Sequence, residues 1–217
     1  MALPIPRRLK RFKAHGRSWE NARESLLFSI GLPLPAVTPA PIPLLVGFSS
    51  AEALRREGVP VFIKWPNDIV LNKKKICGIL TEMSTELMEI QYVIPGTGIN
   101  VNQMEFPDDI KATATSLRIE SGKIQKRSEI IAAIMEAFEG YYDTFIETQD
   151  MSGLIEEYNA NLVNLGNEVC VLDPAGEYRG VSEGINKEGA LLVRLSDGTL
   201  KEIISGEVSV RGVYGYV

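Results

Sequence analysis

The chain has 217 residues, of which 45% are hydrophobic and 24% charged, enough for one domain of ordinary size and a small second one. No apolar run approaches the roughly 18 residues that cross a membrane, and the N-terminus MALPIPRRLKRFKAHGR lacks the apolar core of a signal peptide. The net charge of −5 is unevenly spread: residues 1–19 hold six Lys/Arg and no acid, so a basic end sits on an acidic body, which suits an anionic ligand, nucleic acid or anionic lipid as well as a solvated tail.

Residues 24–30 (ESLLFSI) read as a strand. Residues 33–43 hold five prolines and are expected to be neither helix nor central strand. An amphipathic helix is expected over 44–58, with Arg55 and Arg56 in its last turn and Gly58 as its stop. Residues 61–65, 69–71 and 76–82 read as strands separated by Pro-Asn-Asp and Asn-Lys-Lys turns. Another strand is expected over 87–95, ending in GTGIN (96–100). Residues 128–148 carry Ile130, Ile134, Phe138, Tyr141 and Phe145 at helical spacing, with Ser128 as the N-cap candidate. A second helix is expected over 151–162. After about residue 165 the pattern changes to five short strands (168–172, 178–185, 190–195, 200–204 and 207–213), which read as a small β-barrel. The fold class is therefore α+β followed by an all-β module.

Two cysteines, Cys77 and Cys170, lie far apart without C-x-x-C spacing, which argues against a disulfide scaffold or zinc site and fits a reducing cytoplasm. The single histidine, His15, cannot build a His-rich metal site or a convincing Ser-His-Asp triad. GTGIN is not a dinucleotide fingerprint, because Val101 stands at the third glycine position, and no phosphate-binding P-loop occurs. The strongest candidate is the polar island Lys64-Trp65-Pro66-Asn67-Asp68 between two apolar runs, with Lys75 close behind. Two ammonium groups facing one pocket repel unless an anion lies between them; a phosphate would supply it, with Asp68 helping to hold its Mg²⁺. A surface hairpin with solvated lysines is the competing reading.

KWPND (64–68), K-x-x-GIL-x-E (Lys75, Gly78, Ile79, Leu80, Glu82), G-x-GIN (96–100) and ATSL (114–117) occur in this order. Together they resemble the catalytic domain of biotin protein ligases, the biotin–[acetyl-CoA carboxylase] ligases. GRSW (16–19) is similar to the end of that family's biotin loop. GI-x-x-x-GALLV (184–193) and GEVSVRG (206–212) look like its SH3-like C-terminal barrel. The resemblance implies a mixed sheet with packed helices of the class II synthetase type, then the barrel. It divides the chain into a basic segment (1–15), a catalytic domain lacking its front part (16–164) and the SH3-like domain (165–217).

The resemblance also implies an activity: ATP activates biotin to biotinyl-AMP, and the biotinyl group passes to a lysine of a biotin carboxyl carrier domain of a carboxylase. It casts Lys75 against the biotin carboxylate and α-phosphate, Lys64 against the phosphates, and Arg17 in the closing loop. Gly78, Ile79 and Trp19 would line the biotin site; Asn67, Asp68 and Asn100 would position ATP, with Asp68 and Asn100 touching its Mg²⁺. Of the family's G-R-G-R-x-G-R-x-W loop only Gly16, Arg17 and Trp19 remain, with Phe12 and Ala14 where two arginines stand. Two alternatives stay open: a truncated or inactive relative that binds nucleotide or a partner, and a lipoate/octanoate ligase-like enzyme, against which KWPND and the barrel argue. No DNA-binding helix-turn-helix is seen, so specific DNA binding is not expected; the family often pairs through sheet edges, which leaves a homodimer open.

Overall fold

The structure, a computed structural model, describes residues 13–14, 17–18, 24–33, 40–86, 89–173, 176–204 and 209–212. Lys13–Ala14 (β1) and Arg17–Ser18 (β2) pair antiparallel. The main sheet consists of β3 (Leu26–Ser29), β4 (Leu32–Pro33), β5 (Phe62–Lys64), β6 (Asp68–Leu71), β7 (Lys74–Glu86) and β8 (Glu89–Ile99). Its order is β3-β8-β7-β6-β5, with β4 also paired to β8. Its strand pairs are antiparallel, and parallel contact is confined to isolated bridges, Ile63 to Leu162 and Lys75 to Ala114. An antiparallel sheet can take helices on one face and leave the other available to a ligand, and here α1 (Ile42–Arg56) lies on one face alone.

The buried face is covered by α1, and α3 (Arg127–Thr148) packs against α1 in turn. Leu45, Phe48 and Leu54 of α1 and Ile134, Phe138 and Phe145 of α3 enter one core, and Phe48 stacks on Tyr141 at 4.2 Å between ring centroids. Two expectations fail at the helix starts. The proline-rich stretch does reach into a helix: Pro43 stands in the first turn of α1, where a backbone N–H would have no acceptor anyway. Ser128 does not cap α3, which begins at Arg127 after Lys126 without a side-chain cap. A further short helix, α2 (Leu117–Ser121), was not expected, although its signals are present. Ser116 Oγ accepts from the Ile119 N–H at 3.1 Å, and Gly122 closes the helix in the left-handed region. The helix expected over 151–162 is shorter, α4 (Ile155–Ala160).

The C-terminal module is a five-stranded antiparallel sheet of β9 (Glu168–Leu172), β10 (Tyr178–Ile185), β11 (Leu191–Arg194), β12 (Leu200–Ile203) and β13 (Ser209–Gly212), in the order β12-β11-β10-β9-β13. Both the α+β body and the all-β module agree with the sequence reading. The module is tied to the main sheet's body at several points. The Ile185 N–H donates to Asn159 Oδ1 at 2.9 Å, the Met151 N–H to the Lys187 carbonyl at 2.8 Å, and Trp65 Nε1 to the Gly189 carbonyl at 3.0 Å. Gly184 has φ +97°, and a Cβ there would stand 2.5 Å from Asn159 Nδ2. Gly184→Ala is therefore expected to destabilise the protein by about 2 kcal/mol, read as a lower midpoint in thermal unfolding; an unchanged midpoint would mean that this junction yields freely.

Candidate active site

Register decides which side chains share a face, because directly opposed residues on neighbouring antiparallel strands point the same way. Lys64 opposes Asp68, and Asp68 opposes Gly78. Gly78 opposes Gly98, which opposes Leu27. Ile63, Ile69, Cys77 and Ile99 occupy the other, buried face. Strict alternation from Gly78 would put Lys75 on the buried face. The register shift against Ile69/Val70 inserts one residue into β7, so that Lys75 opposes Val70 and joins Asp68 and Gly78 on the available face. A β-bulge re-aims a side chain in this way. The face thus presents a strip without side chains, Gly78 and Gly98, beside a cluster of charges.

Within the cluster, Lys75 Nζ lies 2.5 Å from Asp68 Oδ1 and Lys64 Nζ lies 4.0 Å from Asp68 Oδ2. Lys64 is only 6% exposed and Asp68 9%. The anion expected between the two lysines is thus supplied, in the protein itself, by Asp68. Two ammonium groups gathered by one buried carboxylate keep a net positive charge for a second anion. That arrangement does not fit the expected role of Asp68 as a Mg²⁺ ligand, because each of its oxygens already faces an ammonium group. Asn100 fits no better: its Oδ1 accepts from Gln103 Nε2 at 3.1 Å and its Nδ2 donates to the Thr115 carbonyl at 3.0 Å. Among the described residues no group of three or more His, Cys, Asp or Glu side chains could hold a metal.

The other expected site residues divide. Asn67 closes the turn between β5 and β6 onto β7: its Nδ2 donates to the Ile79 carbonyl at 2.8 Å, and the Ile79 N–H donates to the Asn67 carbonyl at 2.9 Å. Ile79 contributes its backbone to the available face, while its side chain belongs to the core against Gly47 of α1. GTGIN does not follow β8 as a loop; Gly96–Ile99 lies within the strand, paired on both sides. Arg17 is described only as a strand residue opposite Ala14, and Trp19 and His15 lie outside the described residues. Trp65, 1% exposed, turns away from the charges to the C-terminal module. Cys77 is buried beneath the site, and burial pushes its thiol up, well above the ordinary cysteine range, so it offers no thiolate.

The segment that leads into the ATSL motif frames Lys75. Its N–H donates to the Thr113 carbonyl at 2.7 Å, and its carbonyl accepts from the Thr115 N–H at 3.0 Å. Glu120 steadies the segment, accepting from the Thr115 hydroxyl and Asn72 Nδ2, both at 2.5 Å. Beside it opens a cavity of about 360 Å³, lined by Lys74, Met104, Phe106, Lys111, Thr115 and Ile119.

Residues 14–100 match the Biotin/lipoate A/B protein ligase family, and residues 165–211 match the Biotin protein ligase C terminal domain. The structure is similar to that of the biotin protein ligase from Aquifex aeolicus in complex with biotin and ATP, with a TM-score of 0.79 and 33% identity, covering 91% of this chain and 82% of that one. Among curated relatives, the bifunctional ligase/repressor BirA of Bacillus subtilis is 33% identical over 199 residues, covering 90% of this chain and 60% of BirA. The biotin–[acetyl-CoA-carboxylase] ligase of Paracoccus denitrificans is 30% identical over 135 residues, covering 61% of this chain and 56% of that enzyme. The chain belongs to the biotin protein ligase family. It spans about 60% of the length of the BirA relative that it matches over most of its own.

Proposed function

We propose that this chain activates biotin with ATP and transfers the biotinyl group to a lysine of a biotin carboxyl carrier domain. The observation that carries the reading is the Lys64–Asp68–Lys75 cluster beside the Gly78–Gly98 strip. A carboxylate oxygen of biotin attacks the α-phosphorus of ATP, and pyrophosphate leaves. The amine of the acceptor lysine then attacks the acyl carbon of the mixed anhydride, AMP leaves, and the amine loses a proton. The first step brings two anions together, so positioning and fixed positive charge supply most of its catalysis.

In this reading biotin lies along the glycine strip with its carboxylate at Lys75. Lys75 and Lys64 offset the charge of the reacting carboxylate and phosphate, and Asp68 holds both ammonium groups in place. Asn67 and Asn100 shape the turn and the 113–115 segment that flank the nucleotide. Magnesium enters as MgATP, with the substrate. Arg17 and Trp19 belong to the loop that closes over the intermediate and keeps water from the anhydride. Residues 16–164 are read as the catalytic domain and 165–217 as the SH3-like domain. A reducing cytoplasm suits the free Cys77 and Cys170, and among the described residues no helix is long and apolar enough to cross a membrane.

The test is ATP–pyrophosphate exchange with biotin, octanoate or lipoate as the acid. Biotin is expected to support exchange and the other two are not. Exchange with octanoate or lipoate but not biotin would favour the lipoate-type reading, and none with any acid would favour a non-catalytic relative.

A further inference from the structure

Gln103, just beyond the GTGIN motif, is only 6% exposed. Its Nε2 donates to Asn100 Oδ1 at 3.1 Å and to Ser25 Oγ at 2.5 Å. Its backbone carbonyl accepts from Ser116 Oγ at 2.5 Å. A carboxamide is nearly symmetric in shape but not in hydrogen bonding, since one end donates and the other accepts. Asn100 faces the Thr115 carbonyl, which needs a donor, and the Gln103 amide, which needs an acceptor. Rotating the Asn100 amide by half a turn would set oxygen against oxygen and NH₂ against NH₂. The Thr115 carbonyl therefore admits one orientation of the Asn100 amide, and the Gln103 amide holds its other end.

The consequence reaches Lys75. The Thr115 residue that receives the Asn100 amide on its carbonyl gives its own N–H to the Lys75 carbonyl, and Thr113 accepts the Lys75 N–H. Asn100 itself is fixed by its N–H to the Ile76 carbonyl at 2.7 Å and by the Leu117 N–H to its carbonyl at 3.0 Å. The orientation of one amide thus sets the segment bracketing the backbone of the lysine at the centre of the site.

We propose that Gln103 is a positioning residue for the nucleotide, acting through the Asn100 amide and the 113–115 segment. It is buried away from the reacting groups. The inference rests on the nucleotide role given to Asn100 above.

The test compares Gln103→Met, which removes both donated hydrogen bonds, with Ser25→Ala, which removes only the acceptor on the β3 side. Asn100→Ala and the double variant Gln103→Met/Asn100→Ala complete the set. The KM for ATP in pyrophosphate exchange, and Kd for MgATP and for biotin by calorimetry, are read for each. Losing one buried hydrogen bond is expected to weaken ATP about fivefold in Gln103→Met, with biotin within twofold. Ser25→Ala should leave ATP binding unchanged, and the double variant should be no weaker than Asn100→Ala alone. Gln103→Glu gives a second probe: an oxygen against Asn100 Oδ1 should weaken ATP more than methionine does. Equal losses for ATP and biotin, an equal effect from Ser25→Ala, or additive effects in the double variant would overturn the inference. If Asn100→Ala weakens ATP while neither Gln103 variant does, this inference alone fails. If Asn100→Ala has no effect, the nucleotide role of Asn100 fails, and the inference falls with it.

Discussion

Replacing Lys75 with alanine is expected to lower biotin-dependent ATP–pyrophosphate exchange by about a hundredfold to a thousandfold, the effect of removing one fixed electrostatic group from a site where charge develops. The expectation follows from placement. The bulge in β7 brings Lys75 to the available face, and its Nζ stands 2.5 Å from the carboxylate it shares with Lys64. Its backbone bonds to Thr113 and Thr115 survive the substitution, and its side chain is 31% exposed. Asp68 loses its nearer partner but keeps Lys64, so stability should fall by less than in Asp68→Ala while exchange collapses. Exchange at the wild-type rate would remove Lys75 from the reaction.

Asp68→Ala should behave differently. Asp68 and Lys64 are both buried, and losing one member of a buried ion pair costs about 3 kcal/mol or more. For a chain of this size that lowers the unfolding midpoint by roughly 10 °C, and exchange should fall as well, because the two ammonium groups lose the group that gathers them. Adding Lys64→Met to Asp68→Ala should restore much of the stability without restoring exchange, since an apolar replacement removes the buried charge but not the need for it. An unchanged midpoint in Asp68→Ala would show that the cluster contributes nothing to folding. The double variant thus separates the charge that holds the fold from the charge that serves the reaction.

Much of this site could be read from the chain. The order of KWPND, K-x-x-GIL and G-x-GIN, the periodicity of α3 and the short strands after residue 165 are local patterns, and they led to the right fold class and family. What could not be read depends on pairing across strands. Lys75 shares a face with Asp68 only because of a register shift, and alternation along β7 alone would assign it to the core. The same limit applied to the side chain of Ile79, which fills the core against α1 while its backbone borders the site beside Gly78. Trp65 sits inside the most recognisable motif, yet its indole bonds to a carbonyl 124 residues away. Gln103 carried no motif at all; only the closeness of Ser25, Asn100 and Ser116 in space marks it. By contrast, α2 was legible in its Ser116 cap and Gly122 stop, and Pro43 in a first helical turn obeys an ordinary rule.

The most direct test of the account is transfer itself. The chain is incubated with biotin, MgATP and a biotin carboxyl carrier domain, and the acceptor is analysed by mass and by avidin blotting. The account predicts one biotinyl group on the acceptor lysine, dependent on ATP and lost in Lys75→Ala. An acceptor left unmodified with biotin, or modified only when octanoate or lipoate is supplied, would contradict it.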